Sequence, residues 1–176
     1  MNNDVDKAND EIWDIYDSNR NLTGKTHYRS IRQPDGGYHL VVHVWIMNGK
    51  GEFLITKRTS NKIFPGMWEC TGGSAVAGDD SLATALKEVK EELGIILNPK
   101  NGQVFKSYRR EFYNTRDFVD VWLFCEEVDI STVVLEPAET CDAMWADRVL
   151  INQMISTGTF IGREIFPYID ELFKEI

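Results

Sequence analysis

Cysteine is scarce in this chain of 176 residues: Cys70, Cys125 and Cys141 are the only three, widely spaced and with no CxxC pair. A disulfide framework or a zinc site is not expected from such a set, which reads as small buried hydrophobes in a reducing compartment. Long apolar runs are missing as well. No stretch approaches the roughly 18–20 residues that span a bilayer. The start, Met1-Asn2-Asn3-Asp4-Val5-Asp6, has neither the basic residues nor the apolar core of a secretion signal. A soluble, cytoplasmic protein is the expectation. Basic residues are in deficit, 19 Lys and Arg against 28 Asp and Glu, for a formal net charge of −9. Such a surface repels nucleic acid. It also leaves room for a cation between the protein and an anionic ligand. With no internal repeat, low-complexity tract or Pro/Ser-rich linker, residues 1–176 read as one domain, residues 1–10 being disordered.

What is present is a run of strand signals with fewer helix signals. Glu11 to Asp17 alternates as a strand, and Asn19 to Gly24 reads as a turn. Tyr38 to Met47 (YHLVVHVWIM) is apolar nearly throughout, which predicts a strand buried on both faces. Asn48-Gly49-Lys50-Gly51 then predicts a hairpin turn into Glu52–Arg58. Further strands are expected at Met67–Thr71, Gln103–Phe112, Phe118–Val128 and Ala143–Ala146. Helices are expected over Asp80–Leu93, after Asp147, and over Pro167–Lys174. Strands outnumber helices without alternating regularly with them. The fold class expected is α+β, a layered αβα sandwich with a mixed sheet.

The chemistry concentrates between Gly72 and Ile95, GGSAVAGDDSLATALKEVKEELGI. On a helix, Leu82, Leu86, Val89 and Leu93 form the expected buried stripe. Glu88, Glu91 and Glu92 stand at i,i+3 and i,i+4 and meet on what should be the opposite side. Three carboxylates on one patch repel one another. The plain alternative is a solvated acidic face tempered by Lys87 and Lys90. The chemical one is a site for a hard divalent cation, which binds carboxylate oxygens and a substrate's phosphates together. The glycine pair and acidic cap ahead of the helix favour the second, because glycine lets backbone come close to a ligand.

At these residues the chain resembles the Nudix family, whose box reads G-x5-E-x7-R-E-U-x-E-E-x-G-U with U aliphatic. Here it runs from Gly73 through Asp79 to Lys87-Glu88-Val89-Lys90-Glu91-Glu92-Leu93-Gly94-Ile95, with every spacing kept. Asp79 replaces the box Glu and Lys87 the box Arg. The resemblance implies a Nudix-type sandwich and metal-dependent hydrolysis of a phosphoanhydride bond in a small organic diphosphate, either nucleoside-linked or prenyl-type. It implies Mg2+ or Mn2+ held by Glu88, Glu91 and Glu92 with a carbonyl of Gly72 or Gly73. Lys87 would assist catalysis at the position of the box Arg, though it lacks the planar fork of a guanidinium.

Beyond the box, Arg58 and Lys62 are the candidates for holding phosphate, with Arg109 and Arg110 as alternatives. Glu139 or Glu136 is a candidate additional base. His27, His39 and His43, like Trp45, Phe64, Trp68 and Trp145, read as structural. Two rival functions stay open. Flanking segments resemble isopentenyl diphosphate isomerase, but that enzyme has a cysteine where this chain has Gly72 and a histidine where it has Ser74. A non-catalytic nucleotide-binding Nudix domain is the other. A homodimer through the N-terminal strands is compatible with either.

Overall fold

The computed structural model describes residues 11–112 and 115–175; the expected disordered segment 1–10 lies outside them. The third strand, β3 (His39–Met47), organises the rest. Its alternate side chains enter two different cores: Val42, Val44 and Ile46 on one face, Val41 and Trp45 on the other. The continuous apolar run is thus a period-2 pattern in which both faces are covered, as expected for a central strand.

Along one edge β3 pairs in parallel with β8 (Thr115–Cys125), and β8 pairs antiparallel with β7 (Gly102–Phe112). Along the other edge β3 is shared. Its far end meets β4 (Phe53–Arg58) at Met47 and Phe53, while residues 41–44 pair with β6 (Thr71–Ser74). β4 in turn pairs with the short β5 (Trp68–Glu69) and with β9 (Thr140–Ala146). Beyond their hairpin, β3 and β4 therefore diverge, and the sheet opens a cleft between them. The mixed sheet matches expectation. Gly72 and Gly73, just beyond the strand expected at Met67–Thr71, belong to β6.

Helix α1 (Ser81–Leu93) lies on one face, and α2 (Arg148–Ser156) and α3 (Ile169–Glu175) lie on the other, giving the αβα sandwich. Asp80 caps α1 by accepting from Ala83 N at 2.8 Å, and Gly94 ends it at φ 68°, where a side chain would be strained. The fully buried positions of α1 are Thr84, Ala85, Val89 and Leu93, with Leu82 and Leu86 only partly covered. The helix is therefore rolled relative to the expected stripe, because small Ala85 allows closer approach to the sheet. That roll brings Glu88 and Glu92 round to the flank of the core, half-buried, and not to the side opposite it.

The N-terminal residues form a separate antiparallel hairpin, β1 (Ile12–Tyr16) with β2 (Leu22–Tyr28). The sequence pattern does not mark β2, whose residues LTGKTHY are mostly exposed and carry no alternation. The hairpin docks through Tyr16 and Tyr38, whose backbones exchange two hydrogen bonds, and through Ala77 N donating to Ile12 O at 2.7 Å. Arg20 adds a fork onto buried Asp120, at 2.8 and 2.5 Å. Burial alone would raise the Asp120 carboxyl, but hydrogen bonds from Arg20, Ser107 and Ser81 outweigh it and hold the group below its ordinary range. The stabilisation is present above the unfolded carboxyl's pKa and is lost as pH falls through the folded value. Arg20→Ala leaves Asp120 buried and short of its partner. Because the Arg20 side chain is 36% exposed, the expected cost is about 2 kcal/mol. It would be read as a lower urea midpoint at unchanged slope.

Candidate active site

The cleft between the diverging strands measures about 520 Å³. Glu88, Glu91 and Glu92 of α1 form one wall and residues 72–74 of β6 form its floor. Arg58, at the end of β4, and Lys62, in the loop beyond, face them. The segment before β9 supplies Glu136 and Glu139. It is fixed to α1, since Glu136 N donates to Glu92 O at 3.1 Å and Val134 N to Leu93 O at 2.9 Å. Six expected residues (Glu88, Glu91, Glu92, Arg58, Lys62 and Glu139) and Gly73 thus share one cavity.

Lys87 is placed elsewhere. It is not among the residues lining the cleft, and it pairs with Asp79 at 3.7 Å. The two positions at which the box departs from the family pattern therefore answer each other. Arg110 is also outside, bound to Asp117 through two bonds of 3.0 and 2.7 Å, while Arg109 lies over the Tyr38 ring.

Two residues that the sequence does not flag line the cleft, and a third, from the adjoining cavity, braces Arg58. Glu11 and Arg29, at the two ends of the N-terminal hairpin, pair at 2.9 Å over its mouth. Glu69 on β5 binds Arg58 at 2.5 Å. A lone carboxylate inside a short, otherwise apolar strand was the available signal for Glu69. Arg29 had none, because β2 itself is unmarked by pattern.

Carboxylates outnumber cations here, and their ionisation shows it. Burial, then the charges of Glu91 and Glu11, push the Glu88 carboxyl up to about 7. Burial, then Glu69 and Glu88, hold Glu92 well above the ordinary carboxylate range. Glu69 is raised by burial despite Arg58 beside it. Lys62 is taken up by an ion pair with Glu139.

The donor set fits a hard divalent ion: oxygen ligands only, crowded, and short of positive charge. Gly73 sharpens the fit, because a Cβ there would lie 2.4 Å from a Glu88 carboxylate oxygen. The floor of the cleft can thus be approached only where the side chain is missing. Among the described residues no group of three or more His, Cys, Asp or Glu side chains is already arranged to hold an ion.

A second cavity of about 280 Å³ opens from the first, sharing Arg58 and residues 72–74 with it. Trp13, His39, His43 and Cys70 line it. Trp13 stacks on His39 with centroids 4.1 Å apart. Burial holds His39 down to about 4, outweighing the nearby Asp117, and holds His43 down to about 3. Both rings are therefore neutral at pH 7. Cys70 is buried and its thiol is pushed well above the ordinary range by that burial, so it stays protonated.

The fold thus presents an acid-lined, glycine-floored cleft in an αβα sandwich, and comparison with known proteins names the family. The NUDIX domain model matches residues 37–167. An uncharacterised Nudix hydrolase of Listeria monocytogenes is 36% identical over 166 residues, covering 93% of this chain and 94% of its own. The isopentenyl-diphosphate Delta-isomerase of Escherichia coli is 24% identical over 133 residues, covering 73% of this chain and 72% of its own. A crystal structure from Deinococcus radiodurans superposes with TM-score 0.72 at 17% identity, covering 92% of this chain and 98% of that one. The chain belongs to the Nudix hydrolase family and is a pyrophosphohydrolase of that type.

Proposed function

We propose that the chain hydrolyses a phosphoanhydride bond in a small organic diphosphate with Mg2+ or Mn2+ as cofactor. The observation that carries this reading is the joining of Glu88, Glu92 and the side-chain-free edge at Gly73 in one cleft with Arg58 and Lys62. Glu88, Glu91 and Glu92 would hold the ion, with the backbone carbonyl of Gly72 or Gly73. When bound, the ion neutralises phosphate charge and lowers the pKa of water. Arg58, Lys62 and Arg29 would bind phosphate oxygens. Arg58 is held in place for this by Glu69 and by the Ile63 carbonyl, which accepts from its Nε at 2.6 Å. Glu139 would accept the proton of the attacking water once substrate phosphate draws Lys62 away. Lys87 would act indirectly, by fixing Asp79 at the foot of the loop.

The isomerase reading is disfavoured by one close approach and by the state of one thiol. A Cβ at Gly72 would fall 2.3 Å from the Val42 carbonyl oxygen, so the backbone as built has no room for a cysteine there. Cys70, two residues upstream in the adjoining cavity, is kept protonated by its burial. A non-catalytic domain would have no use for the full set of glutamates.

Unpaired cysteines at 70, 125 and 141 agree with a cytoplasmic location. The exposed face of β2 would suit pairing of two copies. No helix among the described residues is long and apolar enough to cross a membrane.

The test is phosphate and nucleotide release from nucleoside diphosphate sugars, dinucleoside polyphosphates and prenyl diphosphates, with and without magnesium. Turnover that requires the metal supports the reading. Double-bond migration without hydrolysis, or binding without turnover, overturns it.

A further inference from the structure

The second cavity is lined by polar atoms that the fold leaves without partners. Trp13 Nε1 is buried and has no hydrogen-bond acceptor. His43, 7% exposed, has its Nδ1 engaged by the Tyr168 hydroxyl at 2.9 Å. That hydroxyl is the centre of a small network whose proton positions can be worked out. Trp45 Nε1 can only donate, and it does so to Tyr168 Oη at 3.0 Å. The Tyr168 hydroxyl, buried and already accepting from Trp45, has His43 Nδ1 as the acceptor for its own proton, so it donates to that nitrogen. The remaining proton of the neutral His43 ring then sits on Nε2.

We infer that this cavity is the subsite for the group attached to the diphosphate, and that Trp13 Nε1–H and His43 Nε2–H select a compact polar group bearing hydrogen-bond acceptors. The inference rests on the hydrolase reading for its direction, since the cavity meets the diphosphate cleft at Arg58 and residues 72–74. Its size and chemistry are observations of their own. A volume of about 280 Å³ takes one ring or a short polar chain and not an extended one. A purely hydrocarbon group would leave both donors unpaired, which a desolvated site penalises. Trp13 belongs to β1, outside the residues 37–167 that match the family domain. The hairpin that the sequence marks poorly thus acts as part of the specificity apparatus. Trp13 and His43 are specificity-determining residues here; neither is placed at the reacting phosphorus.

The test uses Trp13→Phe, which keeps a ring for His39 to stack on and removes one donor, and His43→Phe, which removes the other. ADP-ribose, UDP-glucose and dimethylallyl diphosphate serve as probes. Binding is measured by calorimetry with calcium in place of magnesium, and turnover with magnesium. Each variant is first required to melt within a few degrees of the wild type. If His43→Phe fails this, Trp13→Phe carries the test alone. For the polar probe that wild type prefers, each variant is expected to raise Kd and KM about tenfold, the loss of one hydrogen bond to a buried donor, with kcat unchanged. Dimethylallyl diphosphate should change by less than twofold. Equal losses on every probe, no loss on any, or a wild-type preference for dimethylallyl diphosphate would overturn the inference. Should wild type bind a polar probe, lose that binding in the variants, and turn over nothing, the hydrolase reading fails while the subsite stands.

Discussion

Glu92→Gln is expected to lower kcat by at least about a hundredfold and, at the same time, to raise the melting temperature of the metal-free protein at pH 8. Loss of turnover follows from its place in the cleft, where it would hold the metal beside Glu88. The gain in stability follows from electrostatics. Burial and the charges of Glu69, Glu88 and Glu139 hold the Glu92 carboxyl well above its ordinary range. A raised carboxyl favours the folded state only while it is protonated. Stability is therefore lost as pH climbs from the unfolded value near 4.5 through the folded one, and at pH 8 the ionised group opposes folding. Glutamine has the same shape and never ionises. A rise of about 2–6 °C is expected for a chain of this length, measured by calorimetry in EDTA. Saturating magnesium should reverse the order, because only the wild type gains fully from binding. A variant that is inactive and also less stable in EDTA would remove the basis for a strained metal site.

The same groups shape the pH dependence of the metal-free wild type. Glu88, with its carboxyl pushed up to about 7, destabilises the fold as pH rises from about 4.5 to 7. His39 and His43 act in the other direction. Held neutral by burial down to about 4 and about 3, they bind protons more readily in the unfolded chain, so stability falls as pH drops below about 6.5. Metal-free protein should therefore melt highest in the weakly acidic range, between these two losses, and magnesium should move that optimum upward. A melting temperature that rises steadily from pH 6 to pH 8 without metal would contradict the carboxylate part of the account.

Much of this site could be read from sequence because it is local. Gly73, Asp79 and the three glutamates lie within one strand–loop–helix unit, and helical periodicity alone places Glu88, Glu91 and Glu92 together. β3 was legible for a similar reason, its long apolar run admitting few other interpretations. What the sequence concealed was long-range. Glu69 meets Arg58 because β5 pairs with β4, and Arg29 reaches the cleft because a polar hairpin folds back over the loop ahead of α1. The roll of α1 depended on the small volume of Ala85 against the sheet, a packing detail with no signature in the hydrophobic pattern. For Lys87 the box position suggested a part in catalysis, and the contact it makes is with Asp79, which the motif alone does not reveal.

The glycine pair allows the fold and the chemistry to be separated by two adjacent substitutions. Neither glycine has the left-handed backbone that would by itself demand the residue, so space is the constraint at both. At Gly72 the added Cβ would meet the backbone carbonyl of Val42 at 2.3 Å, and the strands β3 and β6 would have to part. Gly72→Ala is expected to destabilise the protein by about 3 kcal/mol, the upper range for overpacking, with loss of activity following loss of structure. At Gly73 the Cβ would meet only the carboxylate of Glu88, at 2.4 Å, and a carboxylate can swing aside. Gly73→Ala should therefore leave the denaturation midpoint nearly unchanged while displacing Glu88 from the floor of the cleft. Magnesium affinity, by calorimetry, and kcat should each fall by about a hundredfold or more. If Gly73→Ala instead unfolds the chain, or folds and binds magnesium normally, then Glu88 does not hold the ion against this edge of β6. An active, stable Gly72→Ala would show that β3 and β6 have slack there, and would restore room for the cysteine that the isomerase reading requires.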